Sequence, residues 1–228
     1  DRLAGDVPAD LAGLCIDTGH SYYAGMDPLG AMRRYWDRID YIHFKDIDRA
    51  VFDRVMEKRI RFFQACAEGV MCPIGRGVID YPAIRAFLSE RGYAGFVTVE
   101  QERDPLNAGG SLADVKAIAK IAHEKKIPLV VDSTFTPPSN YRPIEDGADI
   151  VIHSLSKWIG GHGAGIGGVV IDSGKFDWKG GNVPLLTESD PAYHGLRWAI
   201  DLPDALRPVA FALRFRTGPL RNLGACLS

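Results

Sequence analysis

Short apolar runs alternate with helical periodicities along the chain. Residues 11–17 (LAGLCID), 41–45 (YIHFK) and 95–100 (GFVTVE) are continuous apolar stretches ending on polar residues, the pattern of strands buried on both faces. Between them, DPLGAMRRYWDRI (27–39) and DYPAIRAFLSERGY (80–93) repeat apolar positions at helical spacing, and each opens on an Asp cap with Pro in the first turn. The alternation continues with SLADVKAIAKIAHEKK (111–126), an amphipathic helix with a Ser cap, and with strands at 127–132 (IPLVVD), 148–154 (ADIVIHS) and 167–172 (GGVVID). Residues 173–203, rich in Gly, Pro, Asp and Trp, predict a long loop. DALRPVAFALRFRTGPLRNLG (204–224) predicts a helix broken or kinked at Gly218 and Pro219. The pattern is that of an α/β fold with mainly parallel strands. The linker-like stretch QERDPLNAGG (101–110) divides it into residues 1–110 and 111–228.

Composition narrows the partners. With 228 residues, 46% of them hydrophobic, the chain can bury one large core or two small ones. A net charge of -2, with Lys and Arg spread along the chain, leaves no basic face for phosphate neutralisation, so nucleic acid is not an expected partner. No apolar run approaches the roughly 18 residues of a membrane span, so no membrane partner is expected either. The cysteines Cys15, Cys66, Cys72 and Cys226 show no C-x-x-C spacing, and Cys15 lies in an apolar run; reduced thiols in the cytoplasm are the expectation. The opening DRLAGDVPAD carries no Met and no signal core, so the chain is expected to begin partway through something larger.

The polar residues that end the first strands are Asp17, His43 with Lys45 and Asp46, and Glu100. In parallel α/β barrels the reactive groups sit at the carboxyl ends of strands. Two carboxylates with one imidazole suit a divalent ion such as Mn, Co or Mg, which polarises a carbonyl or hydroxyl oxygen. The same residues also suit structural duties: Asp17 as a turn cap, His43 as a core histidine, Glu100 as an arginine partner. GLCIDTGHSYYAGMDPLGAMRRYWDRIDYIHFKDID and CPIGRGVIDYPAIRAFLSERGYAGFVTVEQERDP, spanning nearly all of 10–116, resemble the C-terminal half of the xylose-isomerase-like TIM barrels, most closely the inosose dehydratases. The resemblance implies half of a (β/α)8 barrel, with Asp17, His43 and Glu100 as ligands of a metal such as Mn or Co. It implies that His20 and Lys45 act on the substrate in a sugar or inositol lyase or isomerase reaction. That family takes a further carboxylate ligand from an earlier strand.

A second constellation lies in HSLSKWIGGHGAGIGG (153–168). An amine that forms a Schiff base with an aldehyde cofactor must be reachable, and a phosphate beside it needs hydroxyl and N–H donors. A pyridine ring used as an electron sink also needs a carboxylate on its nitrogen. Lys157, Ser154 and Ser156 supply the first two, and Asp132 ends a strand 25 residues before the lysine. The plainer alternative is a surface lysine beside a Gly-rich turn and an Asp that caps its strand. IPLVVDSTFTPP, RPIEDGADIVIHSLSKWIGGHGAGIGGVVIDSGKFDW and DPAYHGLRW, covering residues from about 117 to the end, are similar to the pyridoxal-phosphate (PLP) enzymes of Cys/Met metabolism, the O-acetylhomoserine sulfhydrylases in particular.

This second resemblance implies part of a PLP-transferase sheet domain. In it, Lys157 is the Schiff-base and catalytic lysine, Asp132 faces the pyridine nitrogen, and Ser154 and Ser156 hold the phosphate. Gly160, Gly161, Gly167 and Gly168 let backbone pass close to that site. The implied reaction replaces the acetoxy group of O-acetylhomoserine with sulfide, a step of methionine biosynthesis. The substrate is a small molecule, and a site shared between subunits makes a homo-oligomer the expectation. Arg197 and Arg214 are nearby cations that match no substrate-binding motif of that family. The two resemblances meet within 111–126, which predicts a fusion of two fragments whose strands could pair edge to edge in one sheet. A fused chain with two incomplete sites and no turnover is the third expectation.

Overall fold

Asp residues start the first helices. In the computed structural model, which describes residues 6–8, 10–100, 102 and 109–224, the chain divides into two compact units, Asp1–Ala108 and Gly109–Ser228. The stretch 101–110 that the sequence marks as a boundary lies mostly outside the described residues, as does Cys226. The first unit holds strands β1 (Leu14–Asp17), β2 (Ile39–Phe44), β3 (Asp46–Ile47), β4 (Met71–Cys72) and β5 (Phe96–Val99). Its helices are α1 (Thr18–Tyr23), α2 (Pro28–Arg34), α3 (Arg49–Lys58), α4 (Phe62–Ala67) and α5 (Tyr81–Glu90). Asp17, Asp27, Asp48 and Asp80 cap α1, α2, α3 and α5 by accepting from backbone N–H groups of the first turn, which offsets donors a helix cannot satisfy itself.

β1, β2 and β5 form a parallel sheet in the order β1-β2-β5, with Asp17 opposite His43 and His43 opposite Thr98. Ile16, Met32, Ile42, Ile84 and Phe87 close its main core, and Ile47, Val55, Ala65, Val70 and Met71 a second one around the antiparallel pair β3–β4. Between the two, the fully buried Asp46 carboxylate accepts from the N–H groups of Ile47 (2.9 Å), Gly75 (2.8 Å), Gly77 (3.0 Å) and Ile79 (3.0 Å). It thereby fastens the loop after β4 to the start of β3. Among the described residues no barrel closes, because the sheet holding the strand ends is open and three strands wide.

The second unit carries α6 (Gly109–Glu124), β6 (Val130–Asp132), β7 (Ile150–Ser154) and β8 (Gly168–Asp172), then α7 (Pro184–Thr187), α8 (Trp198–Asp201) and α9 (Ala210–Phe215). β6 runs parallel to β7, whereas β8 runs antiparallel to it. Ile150, Trp178, Leu186, Trp198, Ala199 and Ala210 form its core, so the predicted loop at 173–203 contains two short helices and supplies much of that core. At Gly218 and Pro219, where a break or kink is expected, the chain stays helical but departs from regular α-helix. A wide π-type turn over Arg216–Leu220 carries the helix past the proline, since its looser spacing accommodates a ring that an α-turn rejects. Among the described residues, β1 and β6 belong to separate sheets and not to the one shared sheet expected. β1 is four residues long and its register shifts between Leu14 and Cys15; such irregularities twist an edge away from further pairing. Among the described residues no helix is long and apolar enough to cross a membrane.

Asp190 fixes the end of this second core. Its Oδ2 accepts from Trp198 Nε1 (2.9 Å) and lies 2.9 Å from Arg214 Nε, while Oδ1 accepts from Ala192 N (3.0 Å). The Trp198 donor, with the Ala192 amide and the Arg214 charge, holds this carboxyl below its ordinary value against the opposing effect of burial. A carboxyl lowered by folding adds stability above its unfolded pKa of about 3.9 and loses it as pH falls through the lower folded value. The unfolding midpoint of this unit, followed by tryptophan fluorescence, is therefore expected to drop as pH is taken below 4, and Asp190→Asn to flatten that decline. An unchanged acid limb in the variant would remove Asp190 from the explanation.

Candidate functional site

Parity and register assemble the first cluster. Asp17 ends β1, His43 is its registered partner on β2, and Glu100 follows β5, its backbone N–H donating to Phe44 O (3.0 Å). One ligand-type atom from each of Asp17, His43 and Glu100 lies within 4.8 Å of the others. His43 Nδ1 is 2.8 Å from Glu100 Oε2 and 3.7 Å from Asp17 Oδ2. Asp17 divides its duties: Oδ1 caps α1 by accepting from His20 N (2.8 Å), and Oδ2 faces the cluster.

Lys45 enters the same cluster from just beyond β2. Its Nζ lies 3.5 Å from Asp17 Oδ2, 3.4 Å from Glu100 Oε2, 3.2 Å from Glu102 Oε1 and 2.8 Å from His20 Nε2. Burial pulls the Lys45 ammonium down, but Asp17, Glu102 and Glu100 together outweigh it and hold it above the ordinary lysine value. Its backbone is clamped as firmly. Lys45 O accepts from Thr18 Oγ1 and from Tyr81 OH, both at 2.8 Å, and Lys45 N donates to Thr18 Oγ1 (2.9 Å). A Cβ on Gly19 would sit 2.5 Å from Lys45 Cβ, so glycine is what lets α1 cross this residue. Three carboxylates, Asp17, Glu100 and Glu102, surround the one Lys45 ammonium. Glu102 was readable in principle, since it stands two residues after Glu100 and so repeats the parity of the strand end. Thr18 and Tyr81 carried no such signal.

The second constellation is less gathered. Asp132, at the end of β6, is registered with Ile152 on β7, which is registered with Val170 on β8; residues paired in this way point to one face of a sheet. That face is covered over Ile150 by the Trp178 and Trp198 core, but stays open at Val130 on β6 (49% exposed) and Ile152 on β7 (36% exposed). Asp132 is exposed, and its Oδ1 accepts from Thr134 N (2.9 Å). Ser154 closes β7 with its N–H donating to Thr134 Oγ1 (2.8 Å). Lys157 follows three residues later in an irregular turn, Leu155–Ile159, where its own backbone leaves helical geometry (φ -101, ψ -124), and it is exposed. Ser156 Oγ accepts from Gly167 N (3.2 Å), which leaves its hydroxyl proton free to donate.

Lys157, Asp132, Ser154 and Ser156 thus fall at the carboxyl ends of two adjacent parallel strands. Among the described residues, no hydrogen bond or ion pair joins Lys157 to Asp132. The residues present suit PLP in three respects: a reachable amine, an exposed carboxylate in the next strand's row, and two hydroxyls with a bare Gly167–Gly168 backbone between them. Arg197 and Arg214 are both engaged, with Asp201 (2.7 Å) and Asp190 (2.9 Å) respectively.

Fold and sites together define a parallel-strand α/β protein with polar clusters at strand carboxyl ends in each of two units. The chain belongs to the xylose isomerase-like TIM-barrel family, whose profile matches residues 1–122. Residues 96–188 match the Cys/Met metabolism PLP-dependent enzyme family. A sulfhydrylase of Gibberella moniliformis is 52% identical over 118 residues, covering 50% of this chain and 26% of its own. The O-acetyl-L-homoserine sulfhydrylases of Leptospira meyeri (44% over 119 residues; 50% and 27% covered) and Thermus thermophilus (45% over 122 residues; 53% and 28%) are similar in the same way. The chain therefore spans about a quarter of the length of these curated relatives. A solved O-acetylhomoserine (thiol)-lyase from Campylobacter jejuni, carrying a pyridoxyl-lysine monophosphate residue, is 34% identical with a TM-score of 0.43, covering 50% of this chain and 28% of that one.

Proposed function

We propose that the second unit binds PLP through Lys157 and derives from an O-acetylhomoserine sulfhydrylase, fused to part of a xylose-isomerase-like unit. The observation that carries this reading is the placement of an exposed Lys157 just past β7, beside the row Asp132–Ile152–Val170, in a segment 52% identical to a sulfhydrylase. Lys157 Nζ supplies the amine that holds the cofactor and moves the substrate's α-proton. Asp132 keeps the pyridine nitrogen protonated, and Ser154 and Ser156 hold the phosphate. When bound, PLP supplies the electron sink that makes a proton at the α-carbon removable. The substrate on this reading is a small O-acylated amino acid, and the chain works as a cytoplasmic homo-oligomer.

The test is direct. Incubation with PLP followed by borohydride reduction is expected to label the peptide containing Lys157, and Lys157→Ala to abolish that label. Equal labelling of wild type and variant would show a surface lysine without a site. Asp132→Asn is expected to leave labelling intact while slowing α-proton exchange of a bound amino acid, since it removes only the partner of the ring nitrogen.

A second reading has its own support: the carboxylates around His43 suit a divalent cation such as Mn or Co. On this reading Asp17, His43 and Glu100 hold the metal, and His20 and Lys45 handle protons of a polyol or sugar substrate.

A further inference from the structure

At the opposite end of β7 from Lys157 lies a cavity of about 490 Å³ that neither reading uses. Its floor is Asp149, 4% exposed, which immediately precedes β7 and whose Oδ2 accepts from Leu129 N (2.8 Å) and meets His123 Nε2 (2.8 Å). The buried carboxylate fixes the imidazole from behind, and the Phe176 ring stands 6.1 Å away, tilted 44° to it, so two flat rings line one side. The charges around this space are unevenly satisfied. Asp149 is bound as described, Glu145 is paired with Arg142, and Asp177 Oδ1 accepts from Gly180 N (3.0 Å). Lys126 and Lys175 line the same cavity, and among the described residues neither has an ion-pair partner.

Lys126 is also held in place by its backbone. It takes the left-handed conformation (φ 56) where α6 ends, and its carbonyl accepts from Asn182 N (2.7 Å), which ties it to the far wall. Glycine is the usual residue in this conformation at a helix end, so a lysine there trades conformational ease for a placed cation, part of which the helix dipole rewards. With Glu145 paired to Arg142 and Asp149 held by His123 and Leu129 N, two lysines face the single Asp177 carboxylate; that excess of positive charge favours an anion, and the two rings favour a planar group attached to it.

We infer that this cavity is a binding site for a small aryl or heteroaryl phosphate or carboxylate, its ring against His123 and Phe176 and its charge between Lys126 and Lys175. Phenyl phosphate, benzoate, inorganic phosphate and benzyl alcohol are suitable probes with the full chain, read by calorimetry and by the His123 imidazole resonances. Phenyl phosphate or benzoate is expected to bind saturably with a shift at His123, about tenfold tighter than either inorganic phosphate or benzyl alcohol. The exposed double variant Lys126→Asn with Lys175→Gln is expected to weaken binding about tenfold without lowering the unfolding midpoint, whereas Lys157→Ala leaves binding unchanged. The proposal is overturned by any of three results: no saturable shift at His123, equal affinity for inorganic phosphate, or full affinity in the double variant. Loss of binding in Lys157→Ala alone would also overturn it, by placing the anion at the other end of the strand.

Discussion

Asp46→Ala is expected to unfold the first unit under conditions where the wild-type chain is folded. The carboxylate is fully buried and accepts four backbone N–H groups, two of them (Ile47 and Ile79) among buried residues. Removing it strands those donors. Each buried unpaired donor costs about 1–3 kcal/mol, and bonds to a charged acceptor sit at the upper end. Water reaches the exposed Gly75, so its share is recovered, which leaves a loss of about 3–5 kcal/mol against a typical total of about 5–15. Asp46→Asn keeps one acceptor oxygen and is expected to fall between. Gly77→Ala attacks the same network sterically, since a Cβ there would meet Asp46 Oδ1 at 2.3 Å and Ile47 O at 2.4 Å. Residue-resolved hydrogen exchange in urea separates the two units. Protection of β2 and α5 in Asp46→Ala within about 1 kcal/mol of wild type would mean that the loop holds without its carboxylate.

Asp46 also marks where sequence reading stops. Its position at a polar strand end was legible, but its partners are main-chain amides of Gly75, Gly77 and Ile79, about thirty residues away, and main-chain donors leave no side-chain pattern. Asp17, His43 and Glu100 were legible because a carboxylate or imidazole directly after an apolar run must emerge at the strand's end, and parallel register brings such ends together. Asp17 caps α1 through Oδ1 while Oδ2 faces His43, so capping and membership of the cluster are compatible. β8 runs antiparallel to β7 for a physical reason. A parallel return needs a crossover of a dozen or more residues, usually a helix, and the glycine-rich connection at 155–167 holds only the short turn Leu155–Ile159. For Lys157 the local setting was readable, while its spacing from Asp132 depends on the backbone of an irregular turn that periodicity cannot describe.

His43→Ala is expected to abolish Mn or Co binding to the first unit, and Lys45→Met to strengthen it. The first half follows from ligand count: His43 supplies the imidazole among three candidate ligands, and two carboxylates alone bind such ions weakly. The second half follows from charge. Lys45 Nζ stands 3.5 Å and 3.4 Å from the same Asp17 and Glu100 oxygens that would face the metal, so it acts as a resident counter-cation and repels an arriving one. A unit charge about 4 Å away is worth about 4 kcal/mol at an effective dielectric of 20. Solvent around the partly exposed Glu100 screens most of that, and about 1.4 kcal/mol, a tenfold gain in affinity, is a conservative remainder. Methionine fits the buried stem of Lys45 without leaving a cavity, so the comparison isolates the charge. Electron paramagnetic resonance of free Mn, titrated against wild type and both variants, reads all three affinities. If Lys45→Met binds no tighter than wild type, the ammonium moves aside on metal entry or no metal enters; if His43→Ala binds equally well, the three side chains form an ion-pair cluster and not a metal centre.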